Sequence, residues 1–220
     1  MIKVGFTEKF DVIVCLDGNL PPEEFFNRFE GIPIYAADGA AIKLMKIFVE
    51  FEKVIGDLDT LKINGYKDKI PQSKFVYLPD QESNDFDKTL NYAYQQGNKK
   101  VLITGFHGGE LEHTLNNWSV LMKYLSKLNL CIYENERYAI PFNKDFALPA
   151  KIGETIGLIP QPKAILTTSG FKWNLKNESL ELGVREGARN IAMNNEVKVE
   201  LHSGVLLVFM DARIPFAPNI

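Results

Sequence analysis

The chain has 220 residues, 45% hydrophobic and 24% charged, with a formal net charge of -3, enough for one sizeable core or two small domains of a soluble globular protein. The charges are mixed, with no block of like sign, which excludes the basic footprint of a nucleic-acid binder or of a protein drawn to an anionic membrane. The N-terminal MIKVGFTEKF lacks the apolar stretch of a signal peptide and no segment reaches membrane-spanning length, so a cytoplasmic protein is expected.

In chain order, short runs rich in Val, Ile, Phe and Tyr, bounded by Gly, Pro or Asp, predict strands at Phe10–Leu16, Ile32–Ala37, Lys53–Ile55, Lys74–Leu78, Lys100–Thr104 and Asn129–Tyr133. Helical spacing of Phe86, Leu90, Ala93 and Tyr94 predicts a helix over Asn84–Gln96. A second, over Leu111–Leu125, follows from Leu115, Trp118, Leu121, Met122 and Leu125. Alternation of strands and helices is the pattern of a parallel sheet covered on both faces. Cys15 and Cys131 both lie inside apolar runs, so buried thiols are expected rather than a bridge.

The texture changes after about Ala139. Strand-like segments follow at Ile152–Ile159, Ala164–Thr168, Leu180–Leu182, Glu196–Leu201 and Val205–Met210, with Gly, Pro and Asn between them. The strict alternation in Glu196–Leu201 is that of a half-buried antiparallel strand. The expected architecture is α/β: an N-terminal three-layer domain with a parallel sheet over residues 1–140, then a small antiparallel β-sandwich over 141–220.

Ligands of an open α/β sheet sit at the carboxyl ends of its strands, and here those ends carry acids repeatedly. Asp38-Gly39 closes one strand, Gly56-Asp57-Leu58-Asp59 the next and Asp80-Gln81 a third; Asp17-Gly18 follows the first. Parallel strands would bring Asp38, Asp57, Asp59 and Asp80 to one edge, where their mutual repulsion calls for a cation. Hard oxygen donors beside a polyphosphate point to Mg²⁺. A single Asp-Gly after a strand is only a turn; three in succession are not so easily dismissed. At the next helix Asn84 or Ser83 serves as N-cap. Asp85 and Lys88, one turn apart, are either an ordinary surface ion pair or a metal-side carboxylate with a phosphate-binding lysine. Gly105-Phe106-His107-Gly108-Gly109 precedes a helix and lets backbone N–H groups approach phosphate, though it is neither a Walker loop nor a GxGxxG. Asp57-Leu58-Asp59-Thr60 is not the aspartyl-phosphatase signature, its Thr falling one residue early. His107, Glu110, Glu112 and His113 lack HExxH spacing for zinc.

Taken in order, these segments resemble the thiamine pyrophosphokinase family. Ala37-Asp38-Gly39-Ala40 is similar to its ADGG pattern, Gly56–Thr60 to GDxDS, and Asp80–Leu90 to DQxxTDxxKAL; Gly108–Asn117 is similar to GGRxDHxLxN and Ser169–Leu175 to SGLKWxL. This chain departs from the patterns at Glu110 (Arg in the family), Glu112 (Asp), Asn84 (Thr) and Ala192–Asn195 (STSN). The resemblance implies transfer of pyrophosphate from ATP to thiamine, with AMP as the second product. It implies a homodimer whose active site lies at the subunit interface. By the same resemblance Asp57, Asp59 and Asp85 are catalytic and Asp57, Asp59 and Asp80 hold Mg²⁺. Asp38, Gly39, Asp80, Gln81, Lys88, Gly108, Gly109 and His113 would bind ATP, and Ser169, Lys172, Trp173, Asn194 and Asn195 would bind thiamine. Either Asp85 or Asp59 is the candidate general base. Trp173 offers a flat face to a pyrimidine or a thiazolium; without the motif it would be read as sandwich core. Two other readings stay open: a pyrophosphokinase for another hydroxymethyl acceptor such as a pterin, and a non-catalytic sensor of thiamine or nucleotide.

Overall fold

The computed structural model describes residues 1–220 and divides into two compact units, Lys9–Glu134 and a second made of Met1–Glu8 with Asn135–Ile220. The chain opens with two short strands, β1 (Ile2–Lys3) and β2 (Gly5–Lys9), whose partners lie in the second unit.

The Lys9–Glu134 unit is a parallel sheet of six strands: β3 (Val12–Cys15), β4 (Ile34–Ala37), β5 (Lys53–Gly56), β6 (Phe75–Tyr77), β7 (Lys100–Thr104) and β8 (Asn129–Glu134). Their spatial order is β8-β7-β3-β4-β5-β6, all parallel. Successive connections run outward from β3 to β6, and the chain then returns to lay β7 on the other side of β3. The order reverses between β3 and β7, and a crevice opens outside the carboxyl ends of such a pair. The four residues of β3 and of β4 are buried, which requires cover on both faces and explains their continuous apolar runs. Cys15 and Cys131 are free and buried there.

The helices are α1 (Glu23–Phe26), α2 (Ala40–Lys46), α3 (Asp59–Ile63), α4 (Asp85–Gln95) and α5 (Leu111–Tyr124). Asn84 caps α4, its side-chain oxygen accepting from Asp87 N at 2.8 Å, and Phe86, Leu90 and Ala93 are the apolar face it buries. Tyr94, expected on that face, is 37% exposed; Lys99 Nζ lies over its ring at 4.6 Å. Asp87 fastens α4 to α5 by accepting from Lys123 Nζ at 2.6 Å and from the Tyr124 hydroxyl. Leu111 and Leu115 of α5 are instead 71% and 62% exposed.

The second unit is an antiparallel β-sandwich. It contains β9 (Arg137–Phe142), β10 (Phe146–Pro149), β11 (Thr155–Ser169), β12 (Glu178–Glu181), β13 (Gly187–Ile191), β14 (Glu196–Asp211) and β15 (Phe216–Asn219). β11 pairs with β12, β13 and β14, while β1, β10, β14 and β9 follow one another edge to edge; β2 pairs with β15. Two strands that the sequence reads as four prove continuous. Pro160, Pro162 and Gly204 look like stops, but they fall where the β11–β14 register shifts, between Pro160 and Ala164. A bulge tolerates a residue with no N–H to donate. Gly204 has φ +87°, and a Cβ there would stand 2.1 Å from the Lys163 carbonyl oxygen, so only glycine fits the bulge. The strand is interrupted in its ladder and not in its course.

Candidate active site

Three acids meet at the carboxyl edge of the parallel sheet. Asp38 after β4, Asp57 after β5 and Asp85 at the start of α4 bring carboxylate oxygens within 4.8 Å of one another. Backbone turns make this possible: Asp38 takes φ 31° and Leu58 φ 61°, both in the left-handed region. Gly56 has φ +149°, and a Cβ there would stand 2.7 Å from Asp85 Oδ1.

Each acid has a different setting. Asp38 is buried; its Oδ2 accepts from Thr60 N at 2.9 Å, while its Oδ1 has no hydrogen-bond partner. Burial first, with the field of Asp57, raises its pKa against the hydrogen bonds from Thr60. Asp57 is pushed up by partial burial but held below its ordinary value by hydrogen bonds from Gln81 Nε2 (3.0 Å) and Asp59 N (3.2 Å) and by the field of Lys88. Asp85 is raised to about 6, by burial first; Lys88 opposes this and Asp38 and Asp57 add to it. Lys88 is buried with its Nζ 3.4 Å from Asp85 Oδ1, so the pair is not the solvated surface bridge that spacing alone allowed. Unlike environments push neighbouring acids apart in proton affinity, a mark of functional sites.

A pH prediction follows. Asp85 keeps its proton to higher pH in the fold than in the unfolded chain, so its contribution to stability is most favourable below about pH 4 and is lost as pH rises through 6. Without divalent cations, Asp85→Asn is therefore expected to gain on wild type in thermal midpoint between pH 4 and pH 7.5. A midpoint difference that is the same at both pH values would contradict this.

A cavity of about 440 Å³ opens beside the cluster at the β3–β7 switch point. Its lining includes Leu16, Asp17 and Gly18 after β3, Gly105 and Phe106 after β7, Asp85 and Phe86 of α4, and His113 and Asn117 of α5 with Glu110. Lys43 of α2 fixes the β3 turn, its Nζ 3.0 Å from Asp17 Oδ1 and donating to the carbonyls of Asp17 (2.7 Å) and Gly18 (2.9 Å). The sequence reading missed Lys43; its one signal is a lone cation in the apolar run Ala40–Leu44.

The residues singled out from the sequence distribute as follows. Gly39, Asp85, Gly109 and His113 line the cavity, and Lys88 lies buried against Asp85. Asp38 and Asp57 share the cluster with Asp85, whereas Asp59 and Asp80 stand outside it. Asp59 is exposed at the first position of α3. Asp80 is exposed and closes its own turn by accepting from Glu82 N (3.1 Å) and Ser83 Oγ (2.7 Å). Gly108 is exposed in the loop after β7. Glu110, where the related pattern has arginine, pairs with His113 at 3.6 Å, both largely exposed.

In the β unit, Ser169 ends β11, and Lys172 and Trp173 follow on an exposed loop; Asn194 and Asn195 are exposed between β13 and β14. The two stretches meet, since Met193 N donates to the Gly170 carbonyl and Lys172 N to that of Ile191, each at 2.8 Å. Trp173 is 53% exposed, which removes the core reading, and Lys172 Nζ lies 4.7 Å from its ring centroid.

An open parallel sheet with acids gathered beside a switch-point cavity is the arrangement in which an α/β protein takes a ligand at the carboxyl ends of its strands. Family profiles described as thiamin pyrophosphokinase, catalytic domain, and thiamin pyrophosphokinase, vitamin B1 binding domain, match residues 32–133 and 137–206. The chain belongs to the thiamin pyrophosphokinase family. It is 29% identical to thiamin pyrophosphokinase 1 of Caenorhabditis elegans over 221 residues, covering 89% of this chain and 87% of that protein. It is 24% identical to thiamine pyrophosphokinase 1 of Oryza sativa subsp. japonica, covering 88% and 76%. Its fold is similar to the crystal structure of thiamine pyrophosphokinase from Bacillus subtilis, with a TM-score of 0.76 at 20% identity over 92% of this chain and 100% of that one. No helix is long and apolar enough to cross a membrane.

Proposed function

We propose that this protein transfers the pyrophosphoryl group of ATP to the hydroxyl of thiamine, giving thiamine diphosphate and AMP in the cytoplasm. The observation that carries the reading furthest is the meeting of Asp38, Asp57 and Asp85 beside the switch-point cavity, in a chain of this family.

The donor set suits magnesium: carboxylate oxygens from three residues lie within 4.8 Å, and Asp38 Oδ1 is buried without a protein partner. Asp38, Asp57 and Asp85 would hold the ion, with Asp59 and Asp80 reaching it or the phosphates from the same edge. Once bound, it neutralises charge on the phosphate oxygens. Lys88 and Gln81 orient the acids and meet phosphate, and Gly39, Gly108, Gly109 and His113 take the nucleotide. The thiamine hydroxyl oxygen bonds to the β-phosphorus as the bond from that phosphorus to the α,β-bridging oxygen breaks, and AMP leaves. Asp85 or Asp59 accepts the hydroxyl proton. Positioning and charge account for most of the rate. Trp173, Lys172, Ser169, Asn194 and Asn195 hold thiamine. We read the active species as a homodimer in which the cavity of one subunit faces the β unit of the other. The exposed pair Leu111 and Leu115, one turn apart on α5, supports a covered face there.

The test is AMP release from Mg-ATP with and without thiamine, alongside a hydroxymethyl-pterin. Thiamine-dependent AMP is expected. Saturable thiamine binding without AMP would make the protein a sensor, and AMP release with the pterin alone would change the acceptor.

A further inference from the structure

Asn190 occupies a place where an apolar residue would be ordinary. It is 8% exposed and is the one buried position of β13, whose other residues are half-buried or exposed. A buried amide destabilises a fold unless its hydrogen bonds are made, and here they are. Its Oδ1 accepts from Trp173 N at 3.2 Å and from Ile191 N at 2.9 Å, and its Nδ2 donates to the Trp173 carbonyl at 2.7 Å.

The amide thus grips the peptide on both sides of the Trp173 Cα, seventeen residues away along the chain. Other bonds fix the loop on either side: Lys172 N donates to the Ile191 carbonyl at 2.8 Å, Phe171 N to Asn174 Oδ1 at 3.1 Å and Leu175 N to Thr168 Oγ1 at 2.8 Å. None of these is made by Trp173 itself. Its indole is 53% exposed, with Lys172 Nζ on one side of the ring, so its aim depends on its backbone. An exposed aromatic that must meet a flat ligand binds more tightly when its orientation is set in advance.

We propose that Asn190 is a positioning residue for thiamine: it holds the Trp173 backbone so that the indole presents one face to the substrate. This rests on the reading of Trp173 as a thiamine contact. Loss of the grip leaves the cavity in the α/β unit untouched, so the effect falls on thiamine and not on ATP.

The experiment is steady-state kinetics of Asn190→Ala, Asn190→Asp and Trp173→Ala, with thermal midpoints for each. Asn190→Ala is expected to raise the KM for thiamine by roughly tenfold, the loss of a pair of backbone bonds, while kcat and the KM for ATP stay within about twofold. Asn190→Asp keeps the acceptor for both N–H groups but sets a buried carboxylate oxygen against the Trp173 carbonyl in place of the donor. Its thiamine KM should rise at least as far as that of the alanine variant, and either variant decides the matter if the other does not fold. The chain has two tryptophans, so in a Trp118→Phe background thiamine quenching reports on Trp173 alone; its concentration dependence should shift with KM. A raised thiamine KM in Trp173→Ala with none in either Asn190 variant overturns the positioning role alone. An unchanged thiamine KM in Trp173→Ala overturns both it and the reading beneath it. A lowered midpoint with equal changes in both KM values makes Asn190 merely structural and overturns the proposal.

Discussion

Asp57→Asn and Asp85→Asn are each expected to lower thiamine-dependent AMP formation by about 100-fold or more, the scale of losing an acid–base group or a preorganised charge. Asparagine nearly matches aspartate in shape. At Asp57 its one oxygen can serve only one of Gln81 Nε2 and Asp59 N, which bond different carboxylate oxygens, so what disappears is charge and one acceptor. At Asp85 the loss is of the proton acceptor and of the partner of Lys88. The two variants should part in thermal midpoint above pH 6, where Asp85→Asn relieves repulsion and Asp57→Asn removes a stabilised carboxylate. Retention of AMP formation in both, at saturating Mg-ATP, would take the cluster out of the reaction.

Gly56→Ala is expected to damage both fold and activity, although it adds one methyl group and replaces no proposed ligand. The new Cβ would sit 2.7 Å from Asp85 Oδ1, 3.0 Å from Asp85 Cγ and 3.2 Å from Asp38 Cβ, at φ +149°. Strained backbone and overpacking each carry a cost of about 1–3 kcal/mol. Relief comes by moving Asp85 or the β5 turn, and either opens the cluster. A denaturant titration should show the lost stability, and AMP release a fall comparable with that of Asp85→Asn. In an Asp85→Ala background the methyl group meets fewer atoms, so its cost should shrink, though the φ strain and Asp38 Cβ remain. Equal cost in both backgrounds would mean that Gly56 does not make room for Asp85.

The parallel sheet was legible because buried parallel strands are continuous apolar runs, and β4, β5 and β7 each end against an acid or glycine. α4 was legible from its period and its cap. α2 was not: seven residues with two adjacent alanines carry little periodicity. In the β unit, punctuation misled, since Pro160, Pro162 and Gly204 mark bulges inside long strands. The site divides similarly. That acids gather at one edge follows from parallel strands; which three meet depends on the φ angles of Asp38, Gly56 and Leu58, and residue type alone does not set these. Asn190 escaped notice because asparagine in a sequence reads as a turn former. Only contact with Trp173 shows its use.

The two units are written into the chain differently. Lys9–Glu134 is a single uninterrupted stretch, so as the chain leaves the ribosome it can fold while the rest is still being made. The β unit is assembled from both ends. β1 pairs with Phe146 and Ala147, β2 pairs with β15, and Gly5 N donates to Asn219 Oδ1 across 214 positions. Closing so long a loop is slow. β1 and β2 wait for partners made much later, and the segment carrying Trp173 matures in a unit that cannot be finished until β15 has been made.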